Sequence, residues 1–246
     1  MKIIISPAKR MVEETDIFEC ESIPFLTKTK ALRDYLKSQD YDTLKRIWAC
    51  NDDIVKENIE RLNTYSLDSL GTPSIFAYDG IQYKNMAPRI FEEASFNYLN
   101  DHLFILSAMY GALKPMEGVI PYRLEMQAKI NFEGHKTLYS YWGEDIYNRV
   151  FKNNHVLVNL ASLEYFDAIK PYLKEDDVVI TCAFCNKVKD KLVQRSTASK
   201  SCRGAMVKYM CENQIEDLNL LKNFEYLGFK YSEKDSDEFN FVFVKE

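Results

Sequence analysis

Met1-Lys2-Ile3-Ile4-Ile5-Ser6-Pro7-Ala8-Lys9-Arg10 opens the chain, three isoleucines running without a turn spacer into a serine-proline pair and two cations. Residues 3–5 read as a buried strand that delivers polar groups at its carboxyl end. Two more apolar runs end in the same way. Leu103–Ser107 leads into Tyr110-Gly111-Ala112-Leu113-Lys114-Pro115, and 156–159 leads into Ala161-Ser162-Leu163-Glu164-Tyr165. If the three strands are parallel neighbours, their carboxyl ends line one crevice, where open α/β sheets bind ligands. Lys9 then stands on a rigid support. The alternative is that Ser6 caps a helix with Pro7 in its first position, leaving Lys9 merely exposed. Ser162 likewise reads either as an N-cap with Glu164 in the first turn or as a nucleophile, and no histidine near it in sequence favours the second.

Between the first two strands, residues 28–66 are helical in pattern. Ala31, Leu32, Tyr35 and Leu36, then Leu44, Ile47 and Trp48, then Ile54, Val55, Ile59 and Leu62 recur at three- and four-residue spacing. Strands are expected at 74–78 and 178–184 and helices at 144–151, 164–169 and 199–213, with hairpins pairing 178–184 with 191–196 and 225–231 with 239–244. The fold expected is α/β, a mixed sheet with covering helices and C-terminal hairpins, in one domain spanning 1–246.

With 46% hydrophobic and 28% charged residues and only eight glycines and seven prolines in 246 residues, the chain has the makings of a sizeable core. The apolar run at 3–5 is too short for a signal peptide and no later stretch reaches membrane-spanning length, so a cytoplasmic protein with no membrane partner is expected. Such a location keeps the six cysteines reduced. Cys182 and Cys185 form the sole C-x-x-C, but without a second such pair or a histidine pair at ligand spacing they read as strand residues; no metal or cofactor is expected. The net charge of −5 opposes non-specific nucleic-acid binding, yet residues 185–210 hold seven basic residues against one acidic residue, Asp190. This is either a basic patch or a solvated face.

The stretch 120–126, IPYRLEM, sets Arg123 and Glu125 two apart, able to bind a phosphate and orient a base, or else to form an internal ion pair. Tyr110, Tyr122, Tyr139, Tyr141 and Trp142 crowd nearby, as core residues or as a base-stacking surface.

Taken together, ISPAK, YGALKP followed by PYRLEM, LYSYWG, NLASLEY and CRGAM, in this order, resemble the YaaA family of bacterial peroxide stress proteins over essentially the whole chain. The resemblance implies the cantaloupe fold with a positive cleft and a helix-hairpin-helix element, DNA binding, and a role in limiting unincorporated iron and DNA damage. The positions matching its motifs include Ser6, Pro7, Lys9, Pro121, Tyr122, Asn159, Ser162, Tyr165 and Gly204. On this basis Lys9, Tyr110, Lys114, Arg123, Lys200 and Arg203 are the expected DNA- or anion-binding residues, Glu125 and Glu164 are available for proton transfer, and no catalytic residue is assigned. Two departures stand out: Ala108-Met109-Tyr110-Gly111 lacks the first glycine of a Gly-hydrophobic-Gly hairpin, and Ser201 replaces a lysine common beside Lys200. The leading expectation is a non-catalytic or weakly catalytic protein that binds duplex DNA largely independently of sequence. The alternatives are an enzyme acting on a nucleotide or modified nucleobase in the same cleft, or a polar scaffold with the partner elsewhere.

Overall fold

The computed structural model describes residues 1–14, 19–67, 71–189 and 191–246; Asp190 lies outside them. Ile3, Ile4 and Ile5 are wholly buried, so both faces of the first strand are covered, as continuous apolar runs in parallel sheets require. Nine strands of the described residues form one sheet: β1 (Lys2–Ile5), β2 (Leu103–Ser107), β3 (Gly111–Leu113), β4 (Val156–Leu160), β5 (Val178–Val188), β6 (Lys191–Val193), β7 (Glu225–Tyr226), β8 (Phe229–Tyr231) and β9 (Asn240–Lys245). Their order is β7-β8-β9-β5-β4-β1-β2-β3, with β6 paired to β5. β1 runs parallel to both neighbours, Ile3 facing Val158 of β4 on one side and Leu103 of β2 on the other. The three strands with polar tails are therefore adjacent.

Covering helices follow the expected periodicity. The 28–66 region resolves into α1 (Leu26–Lys37), α2 (Tyr41–Trp48) and α3 (Asp52–Thr64). Asp40 and Asn51 make the breaks, each side chain accepting from an amide of the helix that follows, Thr43 at 2.8 Å and Ile54 at 3.0 Å. Further along come α4 (Ile81–Met86), α5 (Glu93–His102) and α6 (Ser196–Glu212), the last starting three residues before its expected position. The helix expected at 164–169 is the single turn Leu163–Phe166.

Residues 74–78 are not a strand. Two-residue strands at Thr72–Pro73 and Tyr78–Asp79 flank a helical turn, Ser74–Ala77. The Ser74 hydroxyl donates to the Lys114 carbonyl at 2.7 Å, and the Ser74 and Ile75 amides donate to the Glu117 and Pro115 carbonyls. The run is apolar because tertiary packing buries it on every side, a pattern that periodicity cannot distinguish from a strand. At the C-terminus 225–231 divides into β7 and β8 around Leu227 and Gly228, both at positive φ (51° and 83°), and β9 pairs antiparallel with β8 and parallel with β5. No described helix is long and apolar enough to cross a membrane.

Candidate functional site

A cleft of about 520 Å³ opens where β1 and β4 end. No helix follows Ser6, so it is not an N-cap. Its hydroxyl accepts from the Ser162 amide at 2.8 Å and donates to the Ser162 hydroxyl at 3.2 Å, tying the two strand ends together. That use of both hydroxyls leaves Ser162 in a structural contact, without a base to activate it. Tyr83 of α4 supports the same corner, donating to the Ser6 carbonyl at 3.0 Å. Beyond Pro7 and Ala8, Lys9 places its ammonium 2.8 Å from Glu125 Oε1, the same oxygen that Arg123 reaches at 2.7 Å. The Arg123–Glu125 ion pair thus exists, and it forms part of the cleft wall. Arg10 pairs with Asp79 at 3.1 Å at the rim.

The opposite wall is made by α4 and α6 in close contact. A Cβ on Gly204 would overlap the Gln82 carbonyl, so only glycine lets the helices approach this far. The approach sets Arg203 and Lys200 of α6 and Gln82 of α4 into one wall. Neither cation has a carboxylate partner or a hydrogen bond among the described residues. Burial pulls the Arg203 pKa below its ordinary value. Seven buried side-chain nitrogen or oxygen atoms among the described residues lack a hydrogen-bond partner, and three of them line this cleft: Arg203 Nε, Arg123 Nε and Gln82 Nε2. All three are donors. Buried donors without acceptors are costly, and their concentration here marks a surface short of oxygen atoms.

Glu164 closes the floor. Its carboxylate accepts from the Gln127 amide at 3.4 Å. Burial pushes its pKa above the ordinary carboxylate value, the Gln127 amide opposes the shift, and the charge of Glu125 adds to it. Besides Asp79 at the rim, the cleft therefore holds one carboxylate clamped by two cations and another whose pKa burial raises.

Lys9, Arg123, Lys200, Arg203, Glu125 and Glu164 meet in this cleft, with Ser162 beside them. Tyr110 and Lys114 do not. Tyr110 is 1% exposed, stacks edge-on against Tyr122, and its hydroxyl exchanges hydrogen bonds with the backbone of Ile120 at 3.2 Å, bracing the 120–125 segment from behind. Lys114 is carried the other way because the chain reverses at Gly111. That glycine is at φ 75°, and a Cβ there would lie 2.9 Å from the Phe25 ring. Its strand runs antiparallel to β2, taking Lys114 to the amino end of β1, where its charge acts on Lys2.

Cys182 and Cys185 lie on one regular strand, three residues apart, so their side chains leave opposite faces of the sheet and cannot share an ion. Burial pushes the Cys182 thiol up to about 12. His155, Asp176 and Asp177 do gather, at the amino ends of β4 and β5, but Asp177 already accepts from the Lys174 amide and the Tyr147 hydroxyl, each at 2.8 Å. Gln82 and Asp79 are cleft residues that sequence reasoning missed. Gln82 carried no signal beyond being polar among apolar neighbours.

The family model described as "Peroxide stress protein YaaA" matches residues 1–235. A UPF0246 protein of Ligilactobacillus salivarius (strain UCC118) is 46% identical over 246 residues, covering 100% of both chains. A UPF0246 protein of Lachnoclostridium phytofermentans (strain ATCC 700394 / DSM 18823 / ISDg) is 43% identical over 246 residues, covering 100% of this chain and 96% of the relative. With sequence similarity of this extent along its whole length, the chain belongs to the YaaA family of peroxide stress proteins.

Proposed function

We propose that this chain serves the peroxide stress response of its family by binding duplex DNA, largely without regard to sequence, and that its effect on unincorporated iron follows from that role. One observation carries the reading. Lys187, Lys189, Lys191 and Arg195 run along the β5–β6 ribbon to the start of α6, and none has a carboxylate partner among the described residues. Some cations elsewhere on this acidic chain have carboxylate partners, as Lys28 has Asp145, Lys45 has Asp52 and Arg61 has Glu57, whereas here unpaired cations follow one another along a single stretch. An unneutralised cationic strip suits a polyanion, and phosphate contacts position a duplex without reading its bases. Iron enters this reading only indirectly, a route that the dispersal of the histidines and cysteines along the chain favours. Filter-binding titrations at several salt concentrations test it. Replacing Lys187 and Lys191 of the ribbon together by alanine should weaken binding to all sequences alike and lower the slope of log affinity against log salt by about two units. Unchanged slopes sink the proposal for this surface.

A second reading, an enzyme acting on a nucleotide or modified nucleobase, draws on the two carboxyl groups. Glu125 is ion-paired with Lys9 and Arg123, while burial raises the pKa of Glu164, and two carboxyl groups in such different surroundings suit a base and an acid sharing one site. Nucleotide turnover abolished by Glu164→Gln with DNA affinity retained supports this reading; no turnover of any nucleotide by the wild type removes it.

A further inference from the structure

We infer that the cleft takes a phosphate monoester, the terminal phosphate of a nucleotide or of a DNA strand end, and that the phosphodiester backbone of an intact duplex stays outside it. The inference rests on the DNA reading for its partner but concerns a different part of the surface: the ribbon lysines are exposed, whereas the cleft is concave and three of its donor atoms, on Arg203, Arg123 and Gln82, are buried.

Size is the first argument. About 520 Å³ is the volume of a small-molecule pocket, within the usual range of roughly 300–1,000 Å³. A duplex presents its backbone phosphates on a rod whose minor groove alone is about 6 Å wide and whose major groove is about 12 Å wide. Such a rod rests across the mouth of the cleft and cannot carry an internal phosphate down to Arg203 and Gln82. A chain terminus, or a single nucleotide, can enter.

Stoichiometry is the second. Lys200, Arg203, Arg123 and Gln82 together offer more donors than the two free oxygens of a diester can use. A monoester brings three terminal oxygens and a charge of roughly −1.5 to −2, and guanidinium groups meet such oxygens in pairs. The acids of the cleft do not repel it strongly: Glu125 is paired with Lys9 and Arg123, Asp79 with Arg10 and Lys84, and burial raises the pKa of Glu164. Pro7, Ala8 and the exposed Ile81 provide an apolar wall for the sugar or base. Gly80 keeps that wall close, since a Cβ there would stand 3.0 Å from the Ala8 methyl.

The test compares a single-stranded oligonucleotide bearing a 5′-phosphate with its 5′-hydroxyl twin, alongside a covalently closed circular duplex, thymidine 5′-monophosphate and thymidine. The phosphorylated strand should bind at least about tenfold more tightly than its twin, as one to two charge-assisted hydrogen bonds imply. Thymidine monophosphate should compete for it and thymidine should not. Arg203→Met should erase the phosphate preference, with circular dichroism and the melting temperature reporting that the variant is folded; if it does not fold, Gln82→Leu, at the same wall, serves instead. Equal binding of the two strands, with the closed circle competing equally well, overturns the inference and leaves the duplex reading standing. Thymidine monophosphate binding with no oligonucleotide bound overturns the DNA reading and retains the monoester site as one for free nucleotides. If neither the phosphorylated strand nor the mononucleotide binds, the inference is wrong.

Discussion

Arg149 and Arg203 are both largely buried arginines, but their surroundings differ. Arg149 has its own carboxylate: its guanidinium reaches Glu117, lies 5.9 Å from the ring centres of both Phe25 and Phe104, and leaves Glu117 a second oxygen to accept from the Lys114 amide at 2.9 Å. Arg203 has Lys200, Gln82 and the Cys182 thiol for company and no acceptor among the described residues. An arginine that completes a fold brings its counter-charge within the chain. One that the fold leaves desolvated and unpaired reduces stability, and that cost is tolerable where a ligand supplies the missing oxygens.

The contrast can be broken by removing the partners. Glu117→Ala strands a buried guanidinium and should cost roughly 3–5 kcal/mol of unfolding free energy. Arg203→Met, which replaces an unpaired cation by an apolar chain of similar length, should change stability by less than about 1 kcal/mol and in the stabilising direction if at all. Urea denaturation of both variants measures this. Comparable losses in the two would mean that Arg203 has a structural partner after all, and the distinction between the two arginines would fall.

A smaller effect tests how Arg203 comes to stand beside Gln82. By helix propensity alone Gly204→Ala inside α6 should stabilise by about 1 kcal/mol. Overlap with the Gln82 carbonyl acts against this, and overpacking of that kind costs roughly 1–3 kcal/mol. Net destabilisation with weakened binding of the phosphorylated strand is expected, since α4 and α6 must part. A variant more stable than the wild type would show that the helices do not rely on this contact.

That contact also marks where sequence reading stops. The parallel trio β1, β2 and β4 was legible because unbroken apolar runs ended in polar motifs, and their adjacency carried Lys9, Ser162 and Glu164 to one crevice. Lys114 was misplaced because nothing local announced that the chain turns back at Gly111, where the requirement for glycine comes from Phe25 and Trp142, distant in sequence. The turn at Ser74–Ala77 was misread for a related reason: burial on all sides erases the periodicity that separates strand from helix. Gln82 joined the site only through the fit of Gly204 against it, a property of two helices packed together.

The least of the expected effects lies in Glu164, the carboxyl group of the cleft whose neighbouring cation, Lys9, is already engaged with Glu125. Burial raises its pKa in the folded protein, so between the ordinary value of 4.5 and the raised one the folded state binds more protons than the unfolded state. Stability contributed by this group is therefore present below 4.5 and is lost as pH rises through that window. One proton limits the slope to about 1.4 kcal/mol per pH unit, and a half-buried group, partly screened by solvent, should fall well short of that limit. Glu164→Gln removes the titration, so the variant should gain stability relative to the wild type as pH rises above 4.5 and then hold a constant difference. Melting temperatures of both proteins across the acid range decide it. A variant that instead loses ground with rising pH would mean that the folded protein stabilises the Glu164 carboxylate, as a cation dedicated to it would.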